Sequence, residues 1–144
     1  MTQPEGFPIN TLMLIDDSSF DQMVYERISR KSGPVQNLLQ YLDANEALEC
    51  LADPAMPNPD LILLDINMPK MNGFEFLEAA TERFGVKLCP IIVMLTTSLN
   101  PKVEERAKSF NIVRDFLNKP LTQDQLKTLS VMVRIEAHKT PSIS

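Results

Sequence analysis

A chain of 144 residues, with 44% hydrophobic, 23% charged and 6% aromatic residues, has the size and make-up of one globular domain with a single core. Its formal net charge of −5 argues against nucleic acid as the main partner, because phosphate backbones are bound by basic patches. No apolar run approaches the length of a membrane-spanning helix, and the opening MTQPEGFPIN lacks the basic and apolar regions of a signal peptide, so no membrane insertion and a cytoplasmic location are expected.

Five short apolar runs alternate with helical patterns. The first run, Thr11 to Ile15, leads into Ser19, which with Gln22 reads as a capping box ahead of Phe20, Val24 and Ile28 at four-residue spacing. A second strand is expected over Leu38 to Leu42 and a helix over Ala44 to Leu51, followed by the proline-rich connector Asp53 to Asp60. The third strand, Leu61 to Leu64, is followed by a helix over Phe74 to Arg83, and the fourth, Ile91 to Leu95, by a helix over Val103 to Phe110. Asn100 as cap and Pro101 at the first helical position open that fourth helix. The last strand is Val113 to Leu117, and Thr122 with Gln125 makes a capping box for a final helix carrying Leu126, Leu129 and Val133. The second and fifth strands carry more polar residues, as strands near a sheet edge do.

This alternation predicts an α/β fold, a doubly wound five-stranded parallel sheet with helices on both faces. The domain is placed at residues 11–137, with a tail of residues 1–10 before it and a tail of residues 138–144 after it; residues 1–8 and 139–144 read as loose ends. Cys50 and Cys89 have no CxxC spacing and read as free thiols. The sole histidine, His138, falls in the expected tail, which argues against histidine general-base chemistry.

In doubly wound sheets ligands bind beyond the carboxyl ends of the strands. Asp16 and Asp17 close the first strand, Asp65 the third, Thr96 and Thr97 the fourth, and Lys119 followed by Pro120 the fifth. Each residue alone has an ordinary reading, as a turn former, a strand residue or a solvated lysine. Together they place three acids, a hydroxyl and an ammonium at one edge of the sheet. Crowded carboxylates repel unless a cation neutralises them, and an all-oxygen set suits Mg²⁺ with a phosphoryl group as the shared anion. Asp65 is then a candidate nucleophile in phosphoryl transfer, and MPKMNG turns the chain away beyond it.

The segments LIDDSS, LILLDINMPKMNGFEFL, IIVMLTTS and FLNKPLT resemble the receiver domain of two-component response regulators, from about Thr11 to about Ala137. That resemblance implies a flavodoxin-like sheet of strand order 2-1-3-4-5 and Asp65 as phosphoacceptor, taking its phosphoryl group from a sensor histidine kinase or a histidine phosphotransfer protein. It further implies Mg²⁺ held by Asp17, Asp65 and the backbone carbonyl of Asn67, with Asp16 assisting. Lys119 would pair with the phosphoryl oxygens, Thr96 would hydrogen-bond them, Pro120 would follow a cis peptide, and Phe116 would occupy the position of the switch aromatic. Asn67 and Ser98 would tune the lifetime of the phosphate. Asn111 and Ile112 stand where the family often has Gly-Ala, and Phe116 lacks the hydroxyl of the frequent tyrosine. Kinase specificity is expected around Phe20 to Ser32, although Met23, Arg27 and Arg30 also read as a solvated helix face.

The expectation is a stand-alone response regulator that signals through phosphorylation-dependent contacts with a downstream protein the sequence does not name, as a monomer or a phosphorylation-dependent homodimer. It is not an enzyme beyond self-phosphorylation and autodephosphorylation. One alternative is a phosphatase of the haloacid dehalogenase type, but that family's second acid falls on Asn67, which supplies no proton. The other is a non-phosphorylated scaffold module.

Overall fold

A computed structural model of the protein describes residues 9–32, 35–85 and 91–139. Of the expected loose ends at residues 1–8 and 139–144, residues 1–8 and 140–144 lie outside the described residues, as does Cys89, while the backbone of Lys139 closes the last helix. In chain order the elements are β1 (Ile9–Ile15), α1 (Ser19–Ser32), β2 (Val35–Tyr41), α2 (Ala44–Ala52), β3 (Leu61–Asp65), α3 (Gly73–Phe84), β4 (Ile91–Thr96), α4 (Pro101–Lys108), β5 (Val113–Asn118) and α5 (Gln123–Lys139). The strands are parallel in the order β2-β1-β3-β4-β5, the doubly wound arrangement of a flavodoxin-like sheet.

The three central strands are apolar on both sides because helices cover both faces. Met13, Ile15, Ile62, Leu64, Ile92 and Met94 meet the α2 and α3 residues Leu48, Phe76 and Leu77. The alternate positions Leu12, Leu14, Leu61, Leu63, Val93 and Leu95 meet Tyr25 of α1 and Leu126 and Leu129 of α5. Alternation along each strand therefore fills two cores from one sheet, and burial on both sides is what makes these strands read as continuous aliphatic runs.

Several expected boundaries shift for identifiable reasons. β2 begins at Val35 and ends at Tyr41, earlier than Leu38 to Leu42, because it pairs with β1 from Ile9↔Val35 to Ile15↔Tyr41. Gln36 and Asn37 are exposed on this edge strand and hid its start, while Leu42 is left 51% exposed beyond it. The box at Ser19 and Gln22 does not form. Ser18 caps α1 instead, its Oγ accepting from the Asp21 amide at 3.1 Å. Gln22 is buried, and its side-chain amide donates to the carbonyls of Leu14, Asp16 and Tyr41, which ties α1 to the ends of β1 and β2.

The capping box of Thr122 and Gln125 does form, as does the Asn100 cap with Pro101 behind it, but α4 ends at Lys108 rather than Phe110. Asn72 and Glu75 make a further capping box for α3, and Gly85 ends that helix at φ 54°, a left-handed conformation that favours glycine. Asn111 is not left-handed, since no described residue other than glycine has positive φ. β1 and α5 extend beyond the expected limits of 11 and 137, so the backbone of His138 belongs to α5 and not to a tail. Cys50 is a buried free thiol.

Candidate functional site

The sheet topology delivers the ends of β1, β3, β4 and β5 to one edge. Asp16 directly follows β1 and is 1% exposed. Both of its carboxylate oxygens accept hydrogen bonds: Oδ1 from the Ser18 amide at 2.9 Å, and Oδ2 from the Tyr25 hydroxyl at 3.0 Å and the Lys119 ammonium at 2.8 Å. Asp17 is exposed at the mouth of the site. Asp65 is the last residue of β3 and is buried. One carboxylate oxygen from each of Asp16, Asp17 and Asp65 lies within 4.8 Å of the others.

Lys119 sits at the centre of this charge. Its ammonium lies 2.8 Å from Asp16, 3.0 Å from Asp21 and 3.1 Å from Asp65, and the Lys119 amide donates to the Thr96 carbonyl at 2.8 Å. The peptide between Lys119 and Pro120 is cis. Thr96 closes β4 fully buried, and its Oγ1 accepts from the Ser98 amide at 3.0 Å. Asn118 in turn donates to the Ser98 carbonyl.

The electrostatics follow from this crowding. Burial pushes the Asp65 carboxyl up from its ordinary 3.8 to about 6, with the neighbouring Asp16 charge adding to the shift and Lys119 only partly offsetting it. Burial opposes the charge of Lys119, but its hydrogen bonds to Asp16 and Asp21 outweigh that, so the ammonium is held above its ordinary range. Tyr25 is raised by burial and by Asp16, and stays a hydrogen-bond donor. The pocket therefore holds more negative charge than its single lysine balances, and Asp65 carries the instability.

The backbone under Asp65 is equally constrained. The Gly73 amide donates to the Ile66 carbonyl at 2.8 Å, and a Cβ added at Gly73 would lie 2.7 Å from the Asp65 carbonyl oxygen and 2.9 Å from Ile66 Cα. Only glycine lets α3 start this close to the end of β3.

Of the expected residues, the structure brings Asp16, Asp17, Asp65 and Lys119 into one cluster, with Thr96 joined through the Lys119 backbone. Asn67 is exposed two residues beyond Asp65, Ser98 is half-buried beside Thr96, and Phe116 is half-buried on the cluster that also holds Met94 and Ala107. Asp21, Tyr25, Gln22 and Gly73 were missed as site residues. The spacing of Asp17, Asp21 and Tyr25, one helical turn apart, was the available signal.

The model of the response regulator receiver domain matches residues 12–130. The chain belongs to this family. As a receiver domain it is a signalling module of two-component systems and not a classical enzyme. The two-component response regulator ORR5 of Oryza sativa subsp. japonica is 32% identical over 123 residues, covering 82% of this chain and 84% of that protein. A two-component response regulator from Cytophaga hutchinsonii superposes with a TM-score of 0.78 at 29% identity, over 87% of this chain and 96% of that one. The Mn²⁺-bound form of the response regulator Rcp1 superposes with a TM-score of 0.67 at 28% identity, over 94% and 99% of the two chains. Among the described residues no helix is long and apolar enough to cross a membrane.

Proposed function

We propose that this receiver domain accepts a phosphoryl group on Asp65 from a phosphohistidine of a sensor kinase or phosphotransfer protein, and that it relays the event through altered protein contacts in the cytoplasm. The observation that carries this reading is the ammonium of Lys119 set between Asp16 and Asp65, with Asp17 beside them, at the carboxyl edge of the sheet. None of the relatives above supports the haloacid dehalogenase alternative.

The donor set suits Mg²⁺: three carboxylates converge in an all-oxygen cluster, and burial with the Asp16 charge raises the Asp65 carboxyl even with Lys119 at 3.1 Å. Asp16, Asp17, Asp65 and the Asn67 carbonyl would hold the ion, consistent with the divalent ion named for Rcp1. When bound, it supplies charge neutralisation between the acids and the phosphoryl oxygens. In the transfer, an Asp65 oxygen forms the new bond to phosphorus as the bond to the donor imidazole nitrogen breaks, and that nitrogen keeps the electron pair. Lys119 is placed to pair with a phosphoryl oxygen. The Thr96 hydroxyl accepts from Ser98 and so keeps its own proton to donate to another.

Movement of Thr96 toward the phosphate would open space for Phe116, whose ring lies in the partly buried margin next to α4. The surface of α4, β5 and α5 would then change shape.

The test is incubation with Mg²⁺ and a labelled small phosphodonor. The reading expects close to one acid-stable, base-labile phosphoryl group per chain. Continuous release of many phosphates per chain would indicate a phosphatase, and no label a scaffold. Asn67 is exposed two residues beyond Asp65. Replacing it is expected to change the decay half-life of the label several-fold while leaving the initial rate of labelling nearly unchanged; equal half-lives would contradict this role.

A further inference from the structure

We propose that Asp21 is a positioning residue that occupies the Lys119 ammonium until a phosphoryl group displaces it. The inference rests on the phosphoacceptor reading above and adds a competitor to it. An ammonium has three N–H donors, and here three carboxylates surround it, at 2.8 Å (Asp16), 3.0 Å (Asp21) and 3.1 Å (Asp65). Two of the three donors are committed to hydrogen bonds, with Asp16 and Asp21, while Asp65 is held as an ion pair, so one donor at most is open to a phosphoryl oxygen. Any further hydrogen bond from Lys119 to a new anion requires that Asp16 or Asp21 yield.

The three differ in how firmly they are held. Asp16 is buried and anchored twice more, by the Ser18 amide and the Tyr25 hydroxyl. Asp65 is buried and is itself the atom to be modified. The Asp21 side chain is 31% exposed, sits in the first turn of α1 where Ser18 already caps the helix, and borders a cavity of about 220 Å³ whose walls include Phe20, Thr97 and Lys119. A released Asp21 carboxylate thus turns into water at small cost, whereas releasing Asp16 would strand a buried charge. Asp21 is the exchangeable partner. It keeps Lys119 ordered beside Asp65 in the resting state, and its charge opposes any anion arriving at the same ammonium.

The experiment measures affinity for beryllofluoride, an anion of phosphoryl shape, in saturating Mg²⁺ with the full chain, alongside affinity for Mg²⁺ alone. Asp21→Asn removes the competing charge and is expected to tighten beryllofluoride binding about tenfold, with the gain shrinking as salt is raised. Asp21→Glu restores a carboxylate within reach and is expected to bind like the unaltered protein. If the unaltered protein binds beryllofluoride but Asp21→Asn binds it equally or more weakly, or Asp21→Glu behaves as Asp21→Asn does, the role assigned to Asp21 is overturned. If the unaltered protein binds no beryllofluoride, the phosphoacceptor reading fails and this inference falls with it.

Discussion

Replacing Asp65 by asparagine is expected to abolish the acid-stable, base-labile label altogether and, in metal-free buffer, to make the fold more stable. The two effects share a cause. A carboxylate placed where burial and Asp16 lift its pKa to about 6 is poised to take up a compensating cation and a phosphorus electrophile, and it costs stability while it waits. Because the folded-state value lies above the ordinary 3.8, the folded chain holds this proton more tightly than the unfolded chain does. The stabilisation that results is fully present below about pH 4 and is lost as pH rises through about 6. Above that, Asp65→Asn should exceed the unaltered protein by about 1 to 2 kcal/mol, allowing for water that reaches the pocket mouth. Chemical denaturation at several pH values without metal measures this. Addition of Mg²⁺ should reverse the order, since the variant has lost one of the three clustered carboxylates. A variant that is less stable than the unaltered protein at pH 8 without metal would contradict the account of the site's charge.

The second large effect is expected from Gly73→Ala. The new methyl group would meet the Asp65 carbonyl oxygen at 2.7 Å and Ile66 Cα at 2.9 Å, both backbone atoms of the segment that carries the acceptor. Neither can swing aside as a side-chain tip would. α3 must therefore retreat or the end of β3 must bend, at a cost of about 2 to 3 kcal/mol. Thermal unfolding should show a midpoint lower by roughly 8 °C. Labelling of Asp65 should fall as well, because the strain is delivered to its own carbonyl. A variant with unchanged midpoint and unchanged labelling would mean that α3 is not held as closely as described.

Most of the architecture could be read from the sequence because β1, β3 and β4 are buried on both sides. Such strands are written as unbroken aliphatic runs, and the first polar residue after each run marks its carboxyl end. Asp16, Asp65 and Thr96 were legible for that reason. Lys119 was legible at the end of the fifth run and again in the FLNKPLT motif, although β5 is an edge strand with exposed Arg114 and Asp115. The start of β2 was not legible, because Gln36 and Asn37 face solvent and only the pairing with β1 reveals them as strand. Ser18 and Ser19 are equivalent as caps by residue type, and the choice between them depends on where Gln22 finds buried carbonyls to bind. Asp21 and Tyr25 looked like an ordinary first-turn acid and a core aromatic. Their role depends on a lysine nearly a hundred positions away, a distance of 98 residues for Asp21, and no local pattern encodes it. Gly73 read as a breaker in a turn, whereas its lack of a side chain serves a contact with Asp65.

The most direct measurement is chemical trapping of the phosphorylated protein. After reaction with a small phosphodonor and Mg²⁺, borohydride reduces an aspartyl phosphate to homoserine, which peptide mass spectrometry locates. The account predicts homoserine at position 65, dependent on Mg²⁺ and abolished by Asp65→Asn. Homoserine at Asp16 or Asp17 with position 65 unmodified, or phosphate recovered on a side chain away from this pocket, would contradict it.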